Sequence, residues 1–308
     1  MSGHHHHKSH GHPHHDHRHA PGEKDWGELG AYLELEAEVL SPYLDEAMSL
    51  LQAQARSGPR VIRRIADLGC GPGVATTALA RAFPEAAVRA LDRAPALLTQ
   101  AGERAGRLGV GDRVTTAPVD LEAGDLGALG PIDLVWAAMV LHHLADPAGV
   151  LRELHEALSP GGLMTILEFG PPTRILPEDL GFGAPGFARR HAEAQAAAIE
   201  AHLPPGALHL DWPEMLQRAG FDLVERRTLM VDLPAPLPEA ARRWVQQGLQ
   251  RSATMLRERL SADDQATLAV LSDPADPRGV MHRSDVEVHA GRSLYVGRKP
   301  GHADSPRG

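Results

Sequence analysis

The segment ADLGCGPG, residues 66–73, sets an acidic residue, Asp67, ahead of three glycines at alternate positions, Gly69, Gly71 and Gly73, and runs straight into the helix-forming stretch VATTALARAF. Glycine lets a backbone turn sharply and come close to a ligand, and a helix N-terminus offers unpaired amide donors, so a polar ligand is expected on this loop. The dinucleotide fingerprint GxGxxG would place its third glycine at position 74, where the chain has Val74, which makes a nicotinamide dinucleotide the weaker reading. Further along, carboxylates close short β-type runs at Asp92 in VRALD, Asp120 in APVDLE and Glu168 in TILEF, and adjacent imidazoles stand at His142 and His143 in LHHL. Imidazole titrates in the range useful to a general base, and carboxylates at strand ends can accept from hydroxyl or amine groups, although strand-end aspartates also serve as turn residues and caps.

These groups need a scaffold that gathers strand ends. VIRRIADLG, AAVRALD, RVTTAPVD, PIDLVWAAM and GGLMTILEFG read as strands separated by helical segments rich in Ala and Leu, which predicts a parallel sheet with helices on both faces. Two helices are expected before the first strand, between Trp26 and Ala55, the second opened by a Ser41 cap with Pro42 in its first turn. After Gly170 the alternation breaks. A Pro-rich turn leads to the helix FARRHAEAQAAAIEAHL, and WPEMLQRAGF reads as a helix closed by Gly220 before the strand FDLVERRTLMV. Residues 238–272 are helical again, with Trp244, Leu249, Met255 and Leu256 as an inward stripe, and the last strand, VEVHAGRSLYVGRK, carries a Gly-Arg pair at which a bulge or turn is expected.

In order and spacing these segments resemble the motifs of the class I S-adenosylmethionine-dependent methyltransferases, over residues 60–170. Asp67 and the three glycines look like the first motif, and Asp92 stands where that family holds the ribose hydroxyls. Asp120 stands where an acidic residue reaches the adenine amine, flanked by Val119 and Leu121. IDLVWAAMVLHHLADP is similar to the fourth motif, in the LHHL form frequent in small-molecule members of the ubiquinone and trans-aconitate type, and LSPGGLMTILEF is similar to the fifth. The resemblance implies a Rossmann-like α/β fold with a seven-stranded sheet, mostly parallel with the last strand antiparallel, and S-adenosyl-L-methionine as cofactor. It implies donor binding by Asp67, Gly69, Cys70, Gly71, Gly73, Asp92, Arg93, Asp120 and Leu121, with His142 or His143 as a general base of which at most one faces the cleft. In-line displacement would place most of the acceleration in proximity and orientation, transferring methyl to a small-molecule acceptor at oxygen. The aromatics Trp26 and Tyr32 would belong to an N-terminal lid over the cofactor. The roughly fifty residues between the last two strands depart from the family's close hairpin and are expected to form a cap or a homodimer contact.

Charge and composition narrow the reading. Thirty-one basic against forty acidic residues give a net charge of −9 with no basic stripe, which disfavours a nucleic-acid partner. WAAMVLHHL also lacks the Asn/Asp-Pro-Pro-aromatic signature of base N-methylation. Cys70 is the single cysteine, so no disulfide framework or CxxC site is encoded, and a reducing, cytoplasmic setting is expected. No apolar run reaches eighteen residues, so no membrane span is expected. Residues 1–20 hold ten of the nineteen histidines, a tail composition that can bind transition metals; no other metal site is expected. The organisation follows: tail 1–24, helical lid 25–58, donor-binding core 59–170, C-terminal part 171–300 with insertions at 171–210 and 238–275, and tail 301–308. Two other classes stand beside the enzyme, a cofactor-binding scaffold of the same fold without turnover and an NAD-binding oxidoreductase. Arg174, Arg189, Arg190 and His191 in the first insertion are candidates for an anionic substrate, or for an exposed helix face.

Overall fold

The computed structural model describes residues 26–124 and 126–301. The histidine-rich segment, with the metal binding expected of it, lies outside the described residues, as do the side chain of Trp26 and residues 302–308.

Two helices, α1 (Trp26–Val39) and α2 (Ser41–Ser57), lead into β1 (Arg64–Leu68), α3 (Val74–Ala82), β2 (Ala87–Asp92), α4 (Pro95–Arg107), β3 (Val114–Pro118), β4 (Ile132–Ala138), α5 (Pro147–Ala157) and β5 (Leu158–Phe169). Then follow α6 (Phe187–Ala201), α7 (Trp212–Arg218), β6 (Asp222–Leu233), α8 (Glu239–Met255), α9 (Ala262–Ser272) and β7 (Val288–Arg298). The seven strands form one sheet in the order β3-β2-β1-β4-β5-β7-β6, with β7 antiparallel to both its neighbours. That is the expected seven-stranded, mostly parallel arrangement. Strand order reverses between β1 and β4, and in open α/β sheets ligands sit outside the carboxyl ends of strands at such a switch point.

Burial follows position in the sheet. β4, IDLVWAA, lies between β1 and β5 under helices on both faces, and its first six residues are all buried. The edge strand β3 is half polar, VTTAP, and the other edge, β6, carries Glu225, Arg226 and Arg227; polar and charged edges discourage further strand pairing. At the amino end of the sheet the buried Asp133 carboxylate accepts from Arg63 N at 3.0 Å, Arg64 N at 2.9 Å and Arg60 Nε at 2.8 Å, tying the entry of β1 to β4.

The far end of the β6–β7 hairpin extends beyond the carboxyl end of β5. β6 and β7 pair from Asp222↔Arg298 to Leu233↔Val288, so the expected insertion is the far end of a long hairpin and carries α8 and α9. Trp244, Val245 and Leu249 of α8 share a core with Phe187 of α6, Leu268 of α9, and Val39 and Leu40 at the end of α1. The end of α1 and the helices α6, α8 and α9 are therefore one packed unit. Glu34 of α1 pairs with Arg104 of α4 at 3.1 Å, and Glu36 pairs with Arg292 of β7 at 3.1 Å. α7 ends as expected: Gly220 sits at φ +94°, and Phe221 N donates to Leu216 O at 3.0 Å.

Three local expectations are corrected. Ser41 does not cap α2; it is the first helical residue behind Leu40, and no side-chain cap is made. Leu40 N donates to Glu36 O and Tyr43 N to Leu40 O, so α1 runs almost directly into α2, and no extended residue is left from which a hydroxyl could turn back. The Gly291-Arg292 pair makes no bulge: it stays in register with Met230 and Leu229, and the irregularity falls at Leu223–Glu225 in β6. Glycine at 291 answers to packing, since a Cβ there would lie 2.7 Å from Pro171 Cδ. Finally Met255, at the last turn of α8, is exposed, whereas Trp244, Leu249 and Leu256 are buried as expected.

Candidate active site

The glycine turn is shaped by its neighbours. Gly69, Gly71 and Gly73 all take positive φ, at +62°, +53° and +80°, where a Cβ is disfavoured. Two of them are also boxed in. A Cβ on Gly69 would meet Val140 Cγ2 at 2.5 Å, and one on Gly73 would meet Ala101 Cβ at 2.7 Å and Cα at 2.8 Å. Gly71 has nothing within 4 Å of its Cβ position, so the middle of the turn opens on free space at the carboxyl end of β1.

Asp92 faces the same turn. Its Oδ2 accepts from Gly71 N at 3.0 Å and its Oδ1 from Ala94 N at 2.9 Å, and the side chain is half-buried. A carboxylate offers about four lone-pair sites, so roughly two remain for the vicinal hydroxyls of a ribose. Open space at Gly71 beside a partly used, fixed carboxylate fits an adenosyl ligand. Arg93 is exposed beside Asp92. Val119 N donates to Asp92 O at 3.0 Å, which brings the end of β3 alongside; there Asp120 is exposed, with Oδ1 accepting from Glu122 N at 3.0 Å, and Leu121 is buried.

Asp67 and Cys70 are placed differently from the rest of the expected donor set. Asp67 is 1% exposed and its Oδ2 accepts from Thr76 Oγ1 at 2.5 Å, joining β1 to α3 beneath the turn. Burial pushes its pKa up to about 7, with the nearby Asp92 charge adding and the Thr76 hydrogen bond opposing. The Cys70 thiol is also buried, and burial together with the Asp67 and Asp92 charges raises its pKa, which suits packing and not nucleophilic chemistry.

The Asp67 shift has a stability consequence. A carboxyl whose folded pKa lies above its unfolded value near 4 binds more protons when folded, so this group's contribution falls as pH rises from about 4 to about 7 and is flat beyond. Three units correspond to at most about 4 kcal/mol. Asp67→Asn keeps an acceptor for Thr76 and removes the titration. Urea unfolding of both proteins at pH 5 and pH 7.5 should therefore show the variant gaining on the wild type at the higher pH; an unchanged difference would contradict this.

The two imidazoles differ in burial. His142 is 3% exposed, its Nδ1 lies 2.5 Å from Oε2 of the buried Glu168, and its ring centroid lies 4.7 Å from that of Phe169. His143 is exposed, with ring centroids 4.1 Å apart between the two imidazoles. Both sit on the short 3₁₀ turn Leu141–His143 that follows β4. Met139, just before it, is the one described non-glycine residue with positive φ, +53°. A strained residue at the carboxyl edge of a central strand is the kind of backbone feature that clusters at sites, and its side-chain type gave no signal of it.

In α1, Tyr32 packs half-buried under Arg251 of α8, 4.9 Å from its ring centroid, and burial raises its pKa. Two arginines of the first insertion pair with carboxylates. Arg190 Nη2 pairs with Asp264 of α9 at 2.6 Å, Arg189 pairs with Glu193 at 2.7 Å, and Arg174 bridges His289 through its backbone. His191 is buried against Phe187. Among the described residues no group of His, Cys, Asp or Glu is arranged to hold a metal, and no helix is long and apolar enough to cross a membrane.

Comparison with known proteins agrees with this architecture. Residues 66–164 match a family described as a methyltransferase domain. The chain is 32% identical over 189 residues to trans-aconitate 2-methyltransferase of Rhodopseudomonas palustris, covering 60% of this chain and 66% of that protein, just under two thirds of its length. Over 114 residues it is 33% identical to malonyl-[acyl-carrier protein] O-methyltransferase of Laribacter hongkongensis, covering 36% and 38% of the two chains. Among solved structures, the complex between the Haloferax volcanii Trm112 methyltransferase activator and its methyltransferase aligns with a TM-score of 0.51 at 19% identity, covering 90% of this chain and 97% of that one. Strand order, glycine turn and the match across residues 66–164 make the chain similar to the S-adenosylmethionine-dependent methyltransferases, with a methyltransferase domain matched over about a third of its length.

Proposed function

We propose that the protein transfers a methyl group from S-adenosyl-L-methionine to an oxygen of a small-molecule acceptor. The observation that carries this reading is the open face of Gly71 beside the half-used Asp92 carboxylate, at the switch point of the sheet. When bound, S-adenosyl-L-methionine supplies a methyl carbon made electrophilic by its sulfonium. Gly69, Gly71 and Gly73 give the donor a close backbone approach, Asp92 takes the ribose hydroxyls, and Asp120 with Leu121 borders the base. Asp67, Cys70 and Arg93 support the turn from below and beside.

The protein's contribution is alignment and exclusion of water, the effects by which displacement reactions gain most from a binding site. The cap of α6, α8 and α9, packed on α1, stands over the carboxyl ends of the strands where such an acceptor would enter. Both curated relatives described above are named for carboxylate-bearing acceptors, which favours a carboxylate oxygen here. A carboxylate is already ionised at neutral pH and needs no base. For a hydroxyl acceptor the proton would pass to His143, the exposed imidazole of the pair, while His142 is engaged by Glu168. The negative net charge argues against a nucleic-acid acceptor, and the single cysteine suits a reducing compartment such as the cytoplasm.

The test is formation of S-adenosylhomocysteine by the full chain with S-adenosylmethionine and a panel comprising trans-aconitate, a malonyl thioester, simple dicarboxylates and phenols. The expected result is product matched one-to-one by a methyl ester or ether on at least one oxygen acceptor. Tight donor binding with no turnover on any acceptor of the panel would favour the scaffold reading instead.

A further inference from the structure

Glu168 ends β5 on the face of the sheet opposite α3, is 1% exposed, and divides its two oxygens between two adjacent residues of the turn after β4. Oε1 accepts from Leu141 N at 3.1 Å, and Oε2 meets His142 Nδ1 at 2.5 Å. The same turn is tied to β5 a second time, through Met139 N donating to Leu167 O at 2.8 Å. On its other side, Val140 presses directly on the glycine turn, where a Cβ on Gly69 would come within 2.5 Å of Val140 Cγ2. One short segment, Met139–His143, thus lies between a buried carboxylate and the loop expected to hold the donor, with Met139 held at φ +53° between them.

A buried carboxylate is costly unless its lone pairs are used, and a histidine beside it is costly unless oriented, so a leucine and phenylalanine pair would pack here with less penalty. What the polar pair adds is direction. Two hydrogen bonds from one rigid group fix both the backbone at Leu141 and the ring at His142, and the segment between these anchors and Gly69 is too short to shift independently.

We propose that Glu168 and His142 act as a positioning clamp for the methyl donor: their hydrogen bond locks the β4 turn so that Val140 buttresses Gly69 and holds the glycine turn in its donor-binding shape. This rests on the reading of the glycine turn as the S-adenosylmethionine site. It assigns His142 to positioning, leaving His143 as the imidazole at the surface.

The clamp is tested with the full chain by calorimetric titration of S-adenosylmethionine, together with melting curves without ligand. His142→Leu keeps apolar bulk and removes the donor; His142→Asn loses bulk but can present an N–H near the position of Nδ1. A clamp requires His142→Leu to weaken donor binding about tenfold or more and His142→Asn to recover it to within about threefold of wild type. Glu168→Gln, which turns the hydrogen-bonding sense at Oε2 around, is expected to weaken binding like His142→Leu. Asp264→Asn, which loosens the Arg190 pair in the cap and lowers stability away from the site, serves as the control for destabilisation and should leave the affinity within twofold. If His142→Leu binds as well as wild type, or better than His142→Asn, the side chain is packing only and the clamp is overturned. Failure of the wild type itself to bind S-adenosylmethionine would instead overturn the donor-site reading, a separate result in the same experiment.

Discussion

Asp92→Ala is expected to weaken S-adenosylmethionine binding by about a hundredfold, equivalent to about 3 kcal/mol. The magnitude follows from chemistry at one carboxylate. Hydrogen bonds to an ionised acceptor contribute about 1.5–3 kcal/mol each, and a vicinal diol presents two donors. The variant also loses the bonds from Gly71 N and Ala94 N, so the turn itself loosens and the apo protein should melt a few degrees lower. Asp92→Asn retains one acceptor and should fall between the two proteins. Asp120→Ala provides the contrast. That carboxylate is exposed and already engaged by Glu122 N in its own turn, so its loss should cost no more than about tenfold. Titration calorimetry on the four proteins checks the order, and equal affinities for wild type and Asp92→Ala would remove Asp92 from the donor site.

The glycines should separate function from stability. Alanine at 71 meets no atom within 4 Å, so it bears only the positive-φ penalty of about 1–2 kcal/mol, and the protein should fold. Its methyl would nevertheless occupy the space through which the ligand approaches the backbone, and donor binding should fall by at least about tenfold. Alanine at 73 bears the same penalty and also collides with the backbone of Ala101 on α4, at 2.8 Å. Relieving that contact requires α3 and α4 to part, and overpacking of this kind adds about 1–3 kcal/mol. The expected pattern is a modest loss of melting temperature with a large loss of binding for Gly71→Ala, and the larger stability loss for Gly73→Ala. Normal donor affinity in Gly71→Ala would show that the open face of the turn is not where the ligand sits.

The sheet was legible because its strands carry their positions in their composition. β4 is apolar but for Asp133 because both its faces are covered, and the run after Asp67 announces a turn because only glycine takes three positive-φ positions in five residues at little strain. The place of Asp92 at the end of β2 was legible for a related reason, as an acid closing a β-type run before a helix. The misses share a cause as well. Whether Ser41 caps or continues a helix depends on where α1 ends, and whether Gly291 bulges depends on Pro171 lying against it. The division between His142 and His143 is set by Glu168, which is 26 residues away in sequence. The positive φ of Met139 had no local signal at all; in the fold its N–H donates to Leu167 O on β5. Local chemistry was readable; side-chain direction, which depends on distant partners, was not.

The most direct test of the donor assignment is thermal melting of the full chain with S-adenosylmethionine, S-adenosylhomocysteine or NAD. A ligand at a hundred times its dissociation constant stabilises by about 2.7 kcal/mol, which should raise the melting temperature by roughly 5–10 °C. The account predicts that both adenosyl ligands raise it and that NAD does not. A rise with NAD, and none with either adenosyl ligand, would contradict it.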